Sequence, residues 1–209
     1  MNMTSVPVSL ISAGLDEETA RAELYGLLSL LFYGPPTVQT LASLRVAATE
    51  APAAGAVLEE PWRVLAGLAR ELSDQAIQAE YEGLFGGIGK PEVYLYASHY
   101  LSGFLNDKPL ARLRSDLTAL GLARDEAMPE TEDHIAYLCE VMRYLIAGDN
   151  AAVANLTRQQ AFFATHLQTW VLTLCQTLQS HPKARFYAAL GGLTAAFIAV
   201  EAQGFDMLD

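Results

Sequence analysis

With 209 residues and a formal net charge of −11, the chain is long enough for one sizeable core and carries no basic stripe. Nucleic acid is excluded as a natural partner, because binding it rests on neutralising phosphates with Lys and Arg, and a basic peptide is favoured instead. Hydrophobic residues at 52% against 18% charged suit a well-buried bundle or a surface that keeps apolar patches for a partner.

Residues 1–15 show no clear period and are expected to form a flexible N-terminal segment, leaving 16–209 as a single all-helical domain. That segment lacks the basic start of a secretory signal. Asp16, Glu17 and Glu18 open a first helix, whose face of Leu24, Leu27, Leu28 and Leu31 runs to Phe32 before Gly34-Pro35-Pro36 stops it. Thr37 caps a second helix through Arg45, and residues 47–55 read as a surface loop. Glu59-Glu60-Pro61 starts a third, with Pro61 suited to the first position and Trp62, Leu65, Leu68 and Leu72 facing inward. Ser73 or Asp74 caps a fourth. It carries Glu80, Tyr81, Leu84 and Phe85 at helical spacing and is broken by the glycines and proline of Gly86 to Pro91.

Tyr94, Tyr96 and Tyr100 then cluster around Ser98, which reads as the cap of a short helix containing Tyr100, Leu101 and Phe104. Pro109 starts the next helix, with Leu110, Leu113, Leu117 and Leu120 inside, Arg112, Arg114 and Asp116 largely outside, and Gly121 as C-cap. Leu122 to Glu130 connects onward at a length that permits domain exchange, so a monomer and a domain-swapped dimer are both open. Thr131 is the expected N-cap of an acid-led helix reaching Ala147. A long helical region runs from Ala151 to Ser180, broken near Asn155, with His166 as a hydrogen-bonded core residue. After His181-Pro182 the last helix runs to about Ala202. Its apolar stretch, Phe186 to Val200, is too short to span a bilayer and reads as a core helix without membrane insertion. The expected fold is all-α: one bundle of about nine or ten helices.

Conventional chemistry finds little footing. No His-x-x-x-His pair occurs, so no metal and no cofactor is expected. Ser98 and His99 are sequence neighbours that a helix would point apart, and Gly87-Ile88-Gly89-Lys90 lacks the phosphate-loop pattern. Cys139 and Cys175 sit among apolar helical residues, as buried small hydrophobes in a reducing cytoplasm would.

Four motifs stand in order: Tyr81-Glu82-Gly83-Leu84-Phe85; Gly87-Ile88-Gly89-Lys90-Pro91; Tyr94-Leu95-Tyr96-Ala97-Ser98; and Glu130-Thr131-Glu132-Asp133-His134. Phe163 to Leu167 with Trp170, then Phe186-Tyr187, extend the match. With this series the chain resembles the TorD/DmsD family of cytoplasmic chaperones for molybdenum-containing redox enzymes. It departs from the family pattern at Ile88, Tyr94-Leu95 and Thr131, where prolines are usual. The resemblance implies a maturation chaperone, not an enzyme. Its partners would be the catalytic subunit of a molybdopterin-dependent oxidoreductase and that subunit's twin-arginine leader, held for cofactor insertion before export. A receptor for such a leader needs carboxylates for the guanidinium groups and an apolar, aromatic groove for the leader's apolar segment. The residues expected to bind the peptide are Tyr81, Leu84, Phe85, Pro91, Tyr96, Ser98, Tyr100, Glu130, Asp133 and His134, with Glu132 as a further carboxylate. The rival reading is an all-helical metal-dependent enzyme using Asp133 and His134.

Overall fold

The computed structural model describes residues 17–47, 57–86, 89–125 and 128–207, and ten α-helices form their regular structure. In order they are α1 (Glu17–Tyr33), α2 (Val38–Val46), α3 (Glu59–Glu71), α4 (Asp74–Phe85) and α5 (Ala97–Ser102), followed by α6 (Lys108–Ala119), α7 (Ile135–Ala147), α8 (Leu156–His166), α9 (Val171–Ser180) and α10 (Phe186–Asp206). The all-α bundle is as expected. The expected N-terminal segment lies outside the described residues, as do Asp16, Gly87 and Ile88.

Short polar side chains start several helices. Thr37 Oγ1 accepts from Thr40 N at 3.1 Å, Ser73 Oγ from Ala76 N at 3.2 Å, and Asn155 Oδ1 from Arg158 N at 3.1 Å. Two other helices borrow their caps from elsewhere in the chain. α10 starts at Arg185 with no side-chain cap of its own, and the Glu80 carboxylate of α4 takes its place. Glu80 accepts from the backbone N–H groups of Arg185 (2.9 Å), Phe186 (3.2 Å) and Tyr187 (2.8 Å). One anion thus satisfies three orphan donors at the positive end of the helix dipole. The second case, at α5, belongs to the candidate site.

Several expected boundaries move. α5 ends at Ser102, because Gly103 turns left-handed at φ 80, so Phe104 falls outside the helix. The region from Ala151 to Ser180 holds two helices, α8 and α9. Besides the start at Asn155, the chain breaks over Leu167–Trp170, where the Trp170 indole donates to the His166 carbonyl at 2.7 Å. Pro61 sits inside the first turn of α3 and does not open it.

α1 packs along α7, and α10 packs against α9, α3 and α4. The contact between α9 and α10 is close, and a glycine stands at it. A Cβ on Gly191 would lie 3.2 Å from both the Cys175 carbonyl oxygen and Leu178 Cβ. At 21 residues α10 is longer than expected and passes the length and hydropathy criteria for a membrane span. Its packing is that of a core helix, and it carries a buried charge. The Glu201 carboxylate accepts from Arg21 Nε at 2.6 Å and Nη2 at 2.9 Å, and from the Tyr25 hydroxyl at 3.0 Å. Arg21 Nη1 also donates to Gln159 Oε1 at 3.1 Å, and Gln159 Nε2 to the Leu145 carbonyl at 3.1 Å. Four helices, α1, α7, α8 and α10, meet in this network. Cys139 and Cys175 are both buried and unbonded to each other.

Candidate functional site

The Glu130–His134 run does not start a helix. Its backbone pairs antiparallel with the segment before α5 in an isolated bridge between Tyr96 and His134. Ala97 N donates to the Asp133 carbonyl at 3.0 Å, and Ile135 N to the Leu95 carbonyl at 2.8 Å. Because Thr131–His134 close a turn, with His134 N donating to the Thr131 carbonyl at 3.1 Å, α7 begins three residues later than expected, at Ile135. The N-cap is His134, whose Nδ1 accepts from Ala136 N at 3.2 Å. The proton therefore resides on Nε2.

Asp133 is only 1% exposed. Its Oδ2 accepts from Ser98 N at 2.9 Å and its Oδ1 from the Thr131 hydroxyl at 2.7 Å. So Asp133 caps α5, reaching across from the other segment, and Thr131 braces Asp133 instead of capping α7. Tyr96 is the N-cap residue of α5, and Ser98 is a buried residue inside it. The two motif halves are thereby locked together, and what they present outward is Glu130 and Tyr96.

The Tyr96 hydroxyl donates to Glu130. Around this pair stands a chain of rings. Tyr96 meets His134 edge-on at 5.1 Å, His134 meets Tyr137 at 5.9 Å, and Tyr137 meets Tyr33 at 5.9 Å. Burial, and then the Glu130 carboxylate, pushes the Tyr96 and Tyr81 phenols well above the usual range. Tyr137 is raised too, by burial and by Tyr33 ahead of Glu130. All three are neutral at physiological pH. One carboxylate among neutral phenol faces has the chemistry to hold a cation such as a guanidinium, through charge-assisted hydrogen bonds and ring stacking. Tyr33, 41% exposed at the end of α1, forms its open side.

The remaining expected residues divide. Tyr81 is mostly buried; its hydroxyl donates to the Phe32 carbonyl at 3.2 Å, and its ring packs with Phe85 and Tyr187. Phe85 is partly buried and Leu84 fully so. Tyr100 stacks on Trp170 at 5.3 Å and donates to the Tyr94 carbonyl at 2.9 Å. Pro91 lies in a loop pinned to the α9–α10 turn by Glu92, which pairs with Lys183 at 2.5 Å and His181 at 3.1 Å. Glu132 is engaged by Arg114 at 2.9 Å. Tyr33 and Tyr137 were not foreseen. Each looks like an ordinary amphipathic helix position, and the available signal was adjacency: Tyr33 directly precedes the Gly34-Pro35-Pro36 stop, and Tyr137 lies three residues after His134.

His134 gives a pH test. Burial, opposed by Glu130 and Asp133, lowers its pKa from 6.5 to about 4. The unfolded chain therefore binds the extra proton first as pH falls. Its contribution is fully present above pH 6.5 and is lost as pH falls toward 4. A shift of this size corresponds to roughly 2–4 kcal/mol. Denaturant titrations from pH 7 to pH 4 should show a drop of that order in wild type, and a shallower one in His134→Gln.

The rival metal reading finds no support. His134 Nδ1 caps a helix, both Asp133 oxygens are engaged internally, and no group of three or more potential ligands gathers among the described residues.

Comparison with known proteins places these features in context. The family model described as the nitrate reductase delta subunit matches residues 51–176. The chaperone protein TorD of Aliivibrio fischeri is 30% identical, over 87% of this chain and 92% of the relative. That of Shewanella loihica is 30% identical, over 88% and 92%. That of Vibrio cholerae strain O395 is 26% identical, over 90% and 93%.

Proposed function

Because the chain belongs to the family of the nitrate reductase delta subunit and the TorD chaperones, we propose that it is a redox-enzyme maturation chaperone whose client is a molybdopterin-dependent oxidoreductase subunit. It acts by binding and release, with no bond broken by the chaperone itself, and it holds the client in the cytoplasm for cofactor insertion before export. The client's twin-arginine leader occupies the ring of Tyr33, Tyr96, His134 and Tyr137. A guanidinium takes the place of the Tyr96 hydroxyl on Glu130, and the leader's apolar residues lie against Tyr33 and Tyr137. Tyr81 and Phe85 back the groove, while Asp133, Ser98 and Leu84 hold its walls from inside. Pro91 and Tyr100 shape the adjoining loop.

The observation that supports this reading most is the Glu130 carboxylate, held by a phenol among neutral aromatic faces. The test is titration of two synthetic leader peptides, one with its paired arginines and one with glutamines in their place. The arginine peptide should bind at least tenfold tighter, and its association should slow as salt rises. Equal affinity for the two peptides, with a salt-indifferent on-rate, would remove arginine recognition from the account.

A further inference from the structure

The open side of the Tyr33–Tyr137 ring is touched by another part of the same chain. Met128, on the connection from α6 to α7, brings its sulfur to Tyr33, whose hydroxyl donates to Sδ at 3.8 Å. Four residues earlier, Arg124 Nη2 donates to the Met128 carbonyl and braces it. Met128 is partly buried in this position, and Arg124 is exposed. Behind Tyr33, the Tyr137 hydroxyl is buried with no partner at hydrogen-bond geometry among the described residues. Burial and Tyr33 push that phenol up, and the Arg124 charge is near enough to oppose them. Glu130 follows Met128 by two residues. One guanidinium of the chain itself thus stands at the rim of a site whose chemistry suits a guanidinium.

We propose that Met128, braced by Arg124, is an autoinhibitory plug: it docks on Tyr33 in the free chain and is displaced when a leader enters. The inference rests on the proposed leader site and adds a regulation to it. The docked arrangement is built to give way. Tyr33 gives its hydroxyl to a thioether, a weak acceptor, while the Tyr137 hydroxyl goes unsatisfied, and an incoming ligand can offer both a better partner. The brace on Met128 is one hydrogen bond from an exposed side chain, for which water competes. While docked, the plug opposes a leader in two ways. Met128 covers the aromatic end that the leader's apolar residues need, so the apparent affinity for every leader falls with the fraction of molecules that are open. Arg124 sets a like charge beside the incoming guanidinium, a repulsion that only an arginine leader meets and that salt screens.

The experiment pairs peptide titration with methionine oxidation. Met128→Ala should tighten the arginine and glutamine leader peptides alike, by about threefold or more. Arg124→Gln should tighten the arginine peptide by a similar factor and the glutamine peptide less. Either variant binding the arginine peptide no tighter than wild type overturns the proposal, and weaker binding by Met128→Ala would make Met128 part of the leader's own groove. The second arm uses dilute hydrogen peroxide, which passes one oxygen atom to a thioether and leaves as water, with the sulfoxide located by mass spectrometry. Fully buried Met142 and Met207, 78% exposed, set the scale. In the free wild type Met128 should oxidise more slowly than Met207. It should oxidise faster in Tyr33→Ala, and faster in wild type saturated with the arginine peptide. Unchanged or slower oxidation of Met128 with peptide bound overturns the displacement. If the peptide binds no form of the chain, the leader reading fails separately. In that case, faster oxidation in Tyr33→Ala still supports a plug docked on Tyr33, and an unchanged rate overturns it.

Discussion

Glu201→Ala should destabilise the fold by about 3–5 kcal/mol, the range for removing one partner of a buried ion pair. Glu201 is only 4% exposed. Its loss leaves the Arg21 guanidinium and the Tyr25 hydroxyl without their acceptor, in a region where four helices meet. Such a change lowers the melting temperature by roughly 2–4 °C per kcal/mol in a chain of this size. The cause is separable from packing. Replacing both charges, as Arg21→Met with Glu201→Leu, should lose much less than Glu201→Ala alone, because no unpaired charge remains inside. Denaturant midpoints with an unchanged slope would measure both. A loss below about 1 kcal/mol for the single variant would show that water reaches the network.

The second large effect concerns Asp133. Asp133→Ala should cost about 2–4 kcal/mol, combining a lost helix cap with a buried Ser98 N–H left unsatisfied. Leader affinity should fall with it, since the pairing between Tyr96 and His134 depends on the same bracket. Asp133→Asn should behave differently. Its amide oxygen can still accept from Ser98 N, and its amide nitrogen can donate to the Thr131 hydroxyl, so the loss should stay near about 1 kcal/mol. Leader affinity should then change by less than about threefold, because a side chain engaged at both oxygens does not read an arginine. A stable Asp133→Asn protein that no longer distinguishes arginine from glutamine leaders would place the recognising charge on Asp133.

How much of this was legible in the sequence depends on the range of the interaction. Apolar residues at helical spacing marked the core faces of α1, α6 and α7, and the local caps Thr37 and Ser73 marked helix starts, because both signals act within a turn or two. The caps that Glu80 and Asp133 provide act over long sequence separations, and no local pattern announces them. Acids ahead of an apolar run look alike whether they serve the next helix or a distant one. This is why Glu130 to Asp133 read as the first turn of α7. The break at Leu167–Trp170 was hidden because apolar spacing continues through it. At the site, the motif residues Tyr96, Glu130 and His134 were visible together. Tyr33 joins them only through the packing of α1 along α7, which brings its ring to Tyr137.

In the proposed function, Glu130 within its ring of tyrosines reads an arginine of the client's leader. The most direct measurement is a double-mutant cycle: wild type and Glu130→Gln, each titrated with the arginine leader and with one whose arginines are glutamines. Glu130 is partly buried beside Tyr96, so the coupling should exceed about 1 kcal/mol at low salt and shrink as salt rises. Zero coupling at low salt, with both proteins folded, would contradict the account and leave Glu130 as a partner for Tyr96 alone.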